Sequence, residues 1–192
     1  MKKNINKIFL IIVFLILFVF SLILIKKIYK KQIDKKNTNY VFGYGSLTNI
    51  YILKILKLHN SFPIKATLKK DFGYSRYWVE GKNDGVSLSL IPSINPKNIN
   101  GVLVELNDDD FKRFDSYETY ENNHVKVEID WKFIDCDEKY PESKLFIYLI
   151  KGDPPKKANI VTKMPNLYAQ TVMEGFLRYG EDYLDTFLDN TE

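Results

Sequence analysis

The chain of 192 residues is 45% hydrophobic and 15% aromatic with seven prolines, which suits one domain with its own core and excludes a disordered or collagen-like chain. Its net charge of +4 belongs to one end, because nine lysines and only Asp34 among the acids fall in the first 36 positions. The rest carries 19 basic and 23 acidic residues and gives no support to nucleic-acid binding. Cys136 is the only cysteine, and His59 and His124 are the only histidines, so a disulfide framework is excluded and no compact metal-ligand motif is present.

From Ile8 to Ile25 the sequence reads IFLIIVFLILFVFSLILI, uncharged and apolar on every face, and its length predicts one bilayer-spanning helix. A cleavable leader has a shorter apolar region and a small-residue cleavage site, whereas this run stops at Ile25-Lys26-Lys27. The expected organisation is therefore an anchor over 1–27, a basic juxtamembrane linker over 28–39 and a globular domain over 40–192. Six lysines (26, 27, 30, 31, 35 and 36) follow the span and three (2, 3 and 7) precede it, which orients the domain toward the cytosol of a single-pass membrane protein.

Tyr40-Val41-Phe42 predicts a short buried strand that runs into Gly43-Tyr44-Gly45-Ser46, and Asn49 to Leu58 predicts a largely buried helix. Further strands are expected near 64–68, 72–79, 86–90 and 102–106, then an acidic helix capped by Asn107 and running through Phe114. Val125, Val127, Ile129, Trp131 and Phe133 alternate with polar residues and predict a half-buried strand, with another at 145–150. Pro165 suits the first turn of a helix to about Tyr179, ended by Gly180, and a last helix is expected over 182–188. The pattern predicts an α+β fold, a mixed or antiparallel sheet curling into a small barrel with flanking helices.

Two glycines around a tight strand-to-helix turn favour positive φ or close backbone approach. Such a turn can aim backbone N–H groups at a carboxylate, a phosphate or a developing oxyanion, and the residues alone leave those three open. The loop lacks the long Gly/Lys phosphate motif and the third glycine of a dinucleotide fingerprint, and no Gly-x-Ser-x-Gly surrounds Ser46.

Val41-Phe42-Gly43-Tyr44-Gly45-Ser46-Leu47 resembles the substrate loop of the γ-glutamylcyclotransferase-like family. Gly101-Val102-Leu103-Val104-Glu105-Leu106 and then Phe114-Asp115-Ser116-Tyr117-Glu118 resemble that family's strand and acidic catalytic segment. Pro165-Asn166-Leu167-Tyr168, with Glu174-Gly175 and Tyr183, resembles its C-terminal helix. The resemblance implies substrate contact by Tyr44, Gly45, Ser46, Leu47 and Tyr168, and a general acid/base role for Glu118, with Glu121 the fallback. It further implies cyclisation of a γ-glutamyl peptide, amino acid or amine to 5-oxoproline, with glutathione a natural candidate, and no metal or cofactor. The competing reading is a membrane-tethered, catalytically inactive binding module on the same fold. Arg76 is read as an exposed or ring-stacked arginine before a substrate ligand, and His59 and His124 as ordinary structural or surface residues.

Overall fold

The computed structural model describes residues 17–26, 38–58, 63–80, 85–121, 124–158 and 167–192, without the side chains of Tyr120 and Glu121. The chain divides into two compact units, Met1–Asn37 and Thr38–Glu192. In the first, residues 17–26 are helical and their apolar side chains are exposed, Leu17 at 64% and Ile25 at 60%. Ser21, the one hydroxyl of this stretch, donates to the Phe18 carbonyl at 2.7 Å within its own helix. No helix among the described residues is long and apolar enough to cross a membrane. Residues 1–16 and 27 of the expected anchor, and 28–37 of the expected linker, lie outside the described residues.

The second unit is built on β1 (Asn39–Gly43), whose residues alternate between two cores. Tyr40 and Phe42 enter one apolar cluster while Val41 enters another. β5 (Ile99–Leu106) lies antiparallel to β1 and β8 (Lys144–Ile150) lies parallel to it, and both alternate in the same way. Leu103, Leu145 and Ile147 face the first cluster, and Val102, Val104 and Phe146 the second. A strand buried on both faces reads as a continuous apolar run, which is what Val102 to Val104 and Leu145 to Leu149 spell.

The mixed sheet is completed by β2 (Ile64–Leu68) and the short β7 (Ile134–Asp135) on one side and by β6 (His124–Glu128) on the other. The order β6-β8-β1-β5-β2-β7 is open, so the expected small barrel is a curled sheet with two edges and not a closed one. β3 (Tyr74–Glu80) and β4 (Val86–Pro92) form a separate antiparallel pair.

Among the described residues, four helices cover these sheets: α1 (Ile50–Ile55), α2 (Asp108–Ser116), α3 (Leu167–Leu177) and α4 (Glu181–Asp189). Leu53 of α1 and Phe114 of α2 close the second core, and α3 and α4 pack Ala169, Val172, Phe176 and Phe187 against Trp78, Val86 and Leu88 of the β3–β4 pair. As expected, Asn107 caps α2, its side chain accepting from the amides of Asp109 at 3.0 Å and Asp110 at 2.9 Å. Pro165, expected in the first turn of α3, lies outside the described residues.

Two expectations are corrected. The strand expected near 72–79 begins two residues later, because Lys70–Phe72 forms a 3-10 turn closed by Gly73 at φ 87°. The strand expected from Val125 through Phe133 stops at Glu128, where the Asp130 side chain accepts the Lys132 amide at 2.8 Å and caps the 3-10 turn Trp131–Phe133. A local side-chain acceptor outcompetes the ladder there, although the apolar alternation continues.

Candidate active site

β1 ends at Gly43, and the chain turns through Tyr44 and Gly45 into a 3-10 turn, Ser46–Thr48, before Asn49 caps α1. Neither Gly43 nor Gly45 has a positive φ. These glycines serve close approach: a Cβ on Gly43 would sit 2.6 Å from Leu47 Cβ, and one on Gly45 would sit 3.0 Å from the Tyr168 hydroxyl. The turn closes through the amides of Thr48 and Asn49, which donate to the carbonyls of Gly45 and Ser46 at 3.0 Å each. These closing bonds do not use the amides of Ser46 and Leu47.

The loop is held from several directions. Tyr44 donates its hydroxyl to the Tyr148 carbonyl of β8 at 2.9 Å, and Arg76 donates to the Tyr44 carbonyl at 3.2 Å. Asn49 donates its amide to the Thr171 carbonyl of α3 at 2.9 Å. The Tyr168 hydroxyl, at the start of α3, hydrogen-bonds the Ser46 side chain and the Leu88 backbone. The loop's own Tyr44 is thus tied to β8 and the Tyr168 ring of α3 holds Ser46, so the loop backbone is positioned before any ligand arrives.

The acidic segment approaches from the opposite side. α2 passes into a π-helical turn, Tyr117–Glu121, that carries Glu118. Glu118 Oε2 lies 2.6 Å from Nδ1 of His124, the first residue of β6, and the two side chains are 14% and 19% exposed. One turn earlier, Asp115 accepts from the Tyr148 hydroxyl at 2.6 Å and from Lys126 at 2.9 Å.

Between the two sides is a cavity of about 420 Å³. Tyr44, Gly45, Ser46, Leu47, Glu118 and Tyr168 all line it, so the fold brings the expected substrate contacts and the expected acid/base to one cavity. The side chain of the fallback Glu121, and His59, lie outside the described residues. Burial pushes the Tyr44 hydroxyl well above its ordinary pKa, with Glu118 and Tyr168 adding to the effect. Burial likewise pushes Tyr168 up to about 12, and Glu118 contributes to the rise. Both phenols therefore remain protonated donors beside the carboxylate.

Three placements were not foreseen. His124, read from the sequence as an ordinary structural or surface residue, stands on the cavity wall against Glu118. Its signal was a histidine six residues beyond the candidate carboxylate, which acquires meaning only when the chain reverses between α2 and β6. Ser89 also lines the cavity, and its buried hydroxyl has no hydrogen-bond partner among the described residues. Of the two arrangements expected for Arg76 the ring-stacked one holds, its guanidinium lying over the Phe187 ring at 4.2 Å, but its full burial was not foreseen.

Residues 41–166 match the sequence family described as gamma-glutamyl cyclotransferase, AIG2-like. No relative was found among the curated proteins. Among solved structures the fold is similar to YkqA from Bacillus subtilis, at 17% identity and TM-score 0.60 over 80% of this chain and 54% of that one. The chain thus spans about half the length of YkqA. It is also similar to an uncharacterized protein from Homo sapiens, at 14% identity and TM-score 0.59, covering 79% of this chain and 87% of the other. A third similar structure bears the name gamma-glutamyl cyclotransferase, at 14% identity and TM-score 0.58, covering 79% and 86%.

Proposed function

Because the chain belongs to the gamma-glutamyl cyclotransferase, AIG2-like family, we propose that it converts a γ-glutamyl peptide, amino acid or amine to 5-oxoproline and the released amine. The α-amine of the γ-glutamyl group attacks its own γ-carbonyl, a C–N bond closes the five-membered lactam, and the original amide C–N bond breaks. The attack is intramolecular, so a site that holds the group bent recovers much of the barrier without a protein nucleophile.

The observation that supports this reading is a carboxylate, Glu118, on the wall of a cavity whose other side is a pinned backbone loop. Glu118 takes a proton from the α-ammonium and returns one to the leaving nitrogen. The backbone at Gly45 to Leu47 binds the substrate carboxylate or the carbonyl oxygen as negative charge develops on it, and Tyr168 closes that side. A volume of about 420 Å³ falls in the range of small-molecule sites, which run from about 300 to 1,000 Å³. Incubating the full chain in detergent micelles with a panel of γ-glutamyl amino acids, peptides and amines tests the reading. Release of 5-oxoproline from at least one is expected, and a folded chain inert toward all would reject it.

The same reading includes a single-pass anchor through residues 8–25, with the domain on the cytosolic side. The uncharged apolar run, the exposed apolar side chains of residues 17–26 and the excess of lysines after the run support it. Protease added outside sealed cells is expected to leave the domain intact until permeabilisation. Digestion before that step would reverse the topology.

A further inference from the structure

Building on that reading, we propose that His124 is a positioning residue for Glu118, forming with it a two-residue acid/base unit in which the histidine holds the carboxylate and the carboxylate moves the proton. The two side chains come from different elements: Glu118 from the π-helical turn after α2, His124 from the first position of β6, where it pairs with Ile150. Their atoms meet at 2.6 Å on the cavity wall, with little solvent exposure on either side. An ionised carboxylate only accepts hydrogen bonds, so Nδ1 of His124 carries the hydrogen in this contact, whatever the state of Nε2.

The arrangement has a direct chemical consequence. With Oε2 held by the Nδ1–H, the Glu118 side chain is fixed in one rotamer and Oε1 keeps its lone pairs for the substrate. In the cyclisation the α-ammonium gives one proton to Oε1 and attacks as the free amine. Oε1 returns that proton to the leaving nitrogen as its bond to the carbonyl carbon breaks, and the second proton shed by the ring nitrogen ends on the released amine, which departs as an ammonium. Oε2 retains its bond to His124 throughout, and the carboxylate is regenerated. Asp115 lacks this freedom, since one oxygen accepts from Tyr148 and the other from Lys126.

Two readouts test the proposal. Histidine-ring NMR of the full chain in micelles is simplified because His59 and His124 are its only histidines. His124 is expected to carry a proton on Nδ1 and to respond to Glu118→Gln, with His59 unchanged; an unprotonated Nδ1 would overturn the pairing. Kinetically, His124→Leu is expected to lower kcat about 100-fold, as a misplaced catalytic group does, with little change in KM. His124→Asn, which keeps a donor near the Nδ1 position, should restore a substantial part of that loss, and in a Glu118→Gln background His124→Leu should cost nothing more. Equal losses for Leu and Asn, or a change confined to KM, would overturn the positioning role. If the wild type released no 5-oxoproline from any γ-glutamyl compound, the functional reading and the catalytic role would fall together. The NMR result would then still decide whether the pair exists.

Discussion

The molecule sets two ionic side chains close to the same loop and treats them in opposite ways. Arg76 is sealed: its guanidinium makes five hydrogen bonds, to Thr191, Tyr44, Phe187 and twice to Asn100, and lies against the stacked rings of Phe187 and Phe176. Burial pulls its pKa down to about 9, which leaves it charged at neutral pH. Glu118 is held by His124 and keeps a face on the cavity. A buried charge whose hydrogen-bonding capacity is consumed by the protein is structural. A charge held by one side and open on the other is available for chemistry.

Five substitutions sharpen this contrast. Glu118→Gln preserves shape and removes the base, so 5-oxoproline formation should fall by about 10² to 10⁴ with an unchanged melting curve. A variant that melts lower in proportion would make Glu118 structural too. Arg76→Leu should do the reverse: it removes five buried hydrogen bonds, including those to the Tyr44 and Asn100 carbonyls, and should cost at least about 3 kcal/mol in denaturant unfolding. Gly45→Val should impair turnover more than Ser46→Ala, because a β-carbon there already meets the Tyr168 hydroxyl and the valine methyls extend further. The opposite ranking would give the Ser46 side chain the role assigned to the backbone. Asn107→Ala, remote from the cavity, should cost about 1 kcal/mol through loss of the α2 cap and leave kcat unchanged in a steady-state assay.

The legible parts of the fold were those fixed locally. Tyr40 to Phe42, Val102 to Leu106 and Leu145 to Ile150 declare themselves as strands because both faces are buried, and Asn107 declares the start of α2 because its side chain caps adjacent amides. Val125 to Phe133 misled because the alternation of apolar residues says nothing about Asp130, whose side chain ends the ladder. The glycines of the loop were legible as a turn, but their reason was not: the atoms that crowd Gly45 belong to Tyr168, 123 positions away in sequence. Arg76 and His124 were opaque for the same cause. Each acquires its partners across the sheet or between elements, Arg76 from residues 100, 187 and 191 and His124 from the preceding helical turn.

In the proposed reaction the γ-glutamyl α-nitrogen, and not water, attacks the carbonyl. Turnover of a γ-glutamyl substrate by the full chain in ¹⁸O-enriched water, read by mass spectrometry, tests this most directly. The account predicts 5-oxoproline carrying no solvent oxygen, formed in equal amount to the released amine. Glutamate carrying one ¹⁸O atom as the primary product would mean hydrolysis and would contradict it.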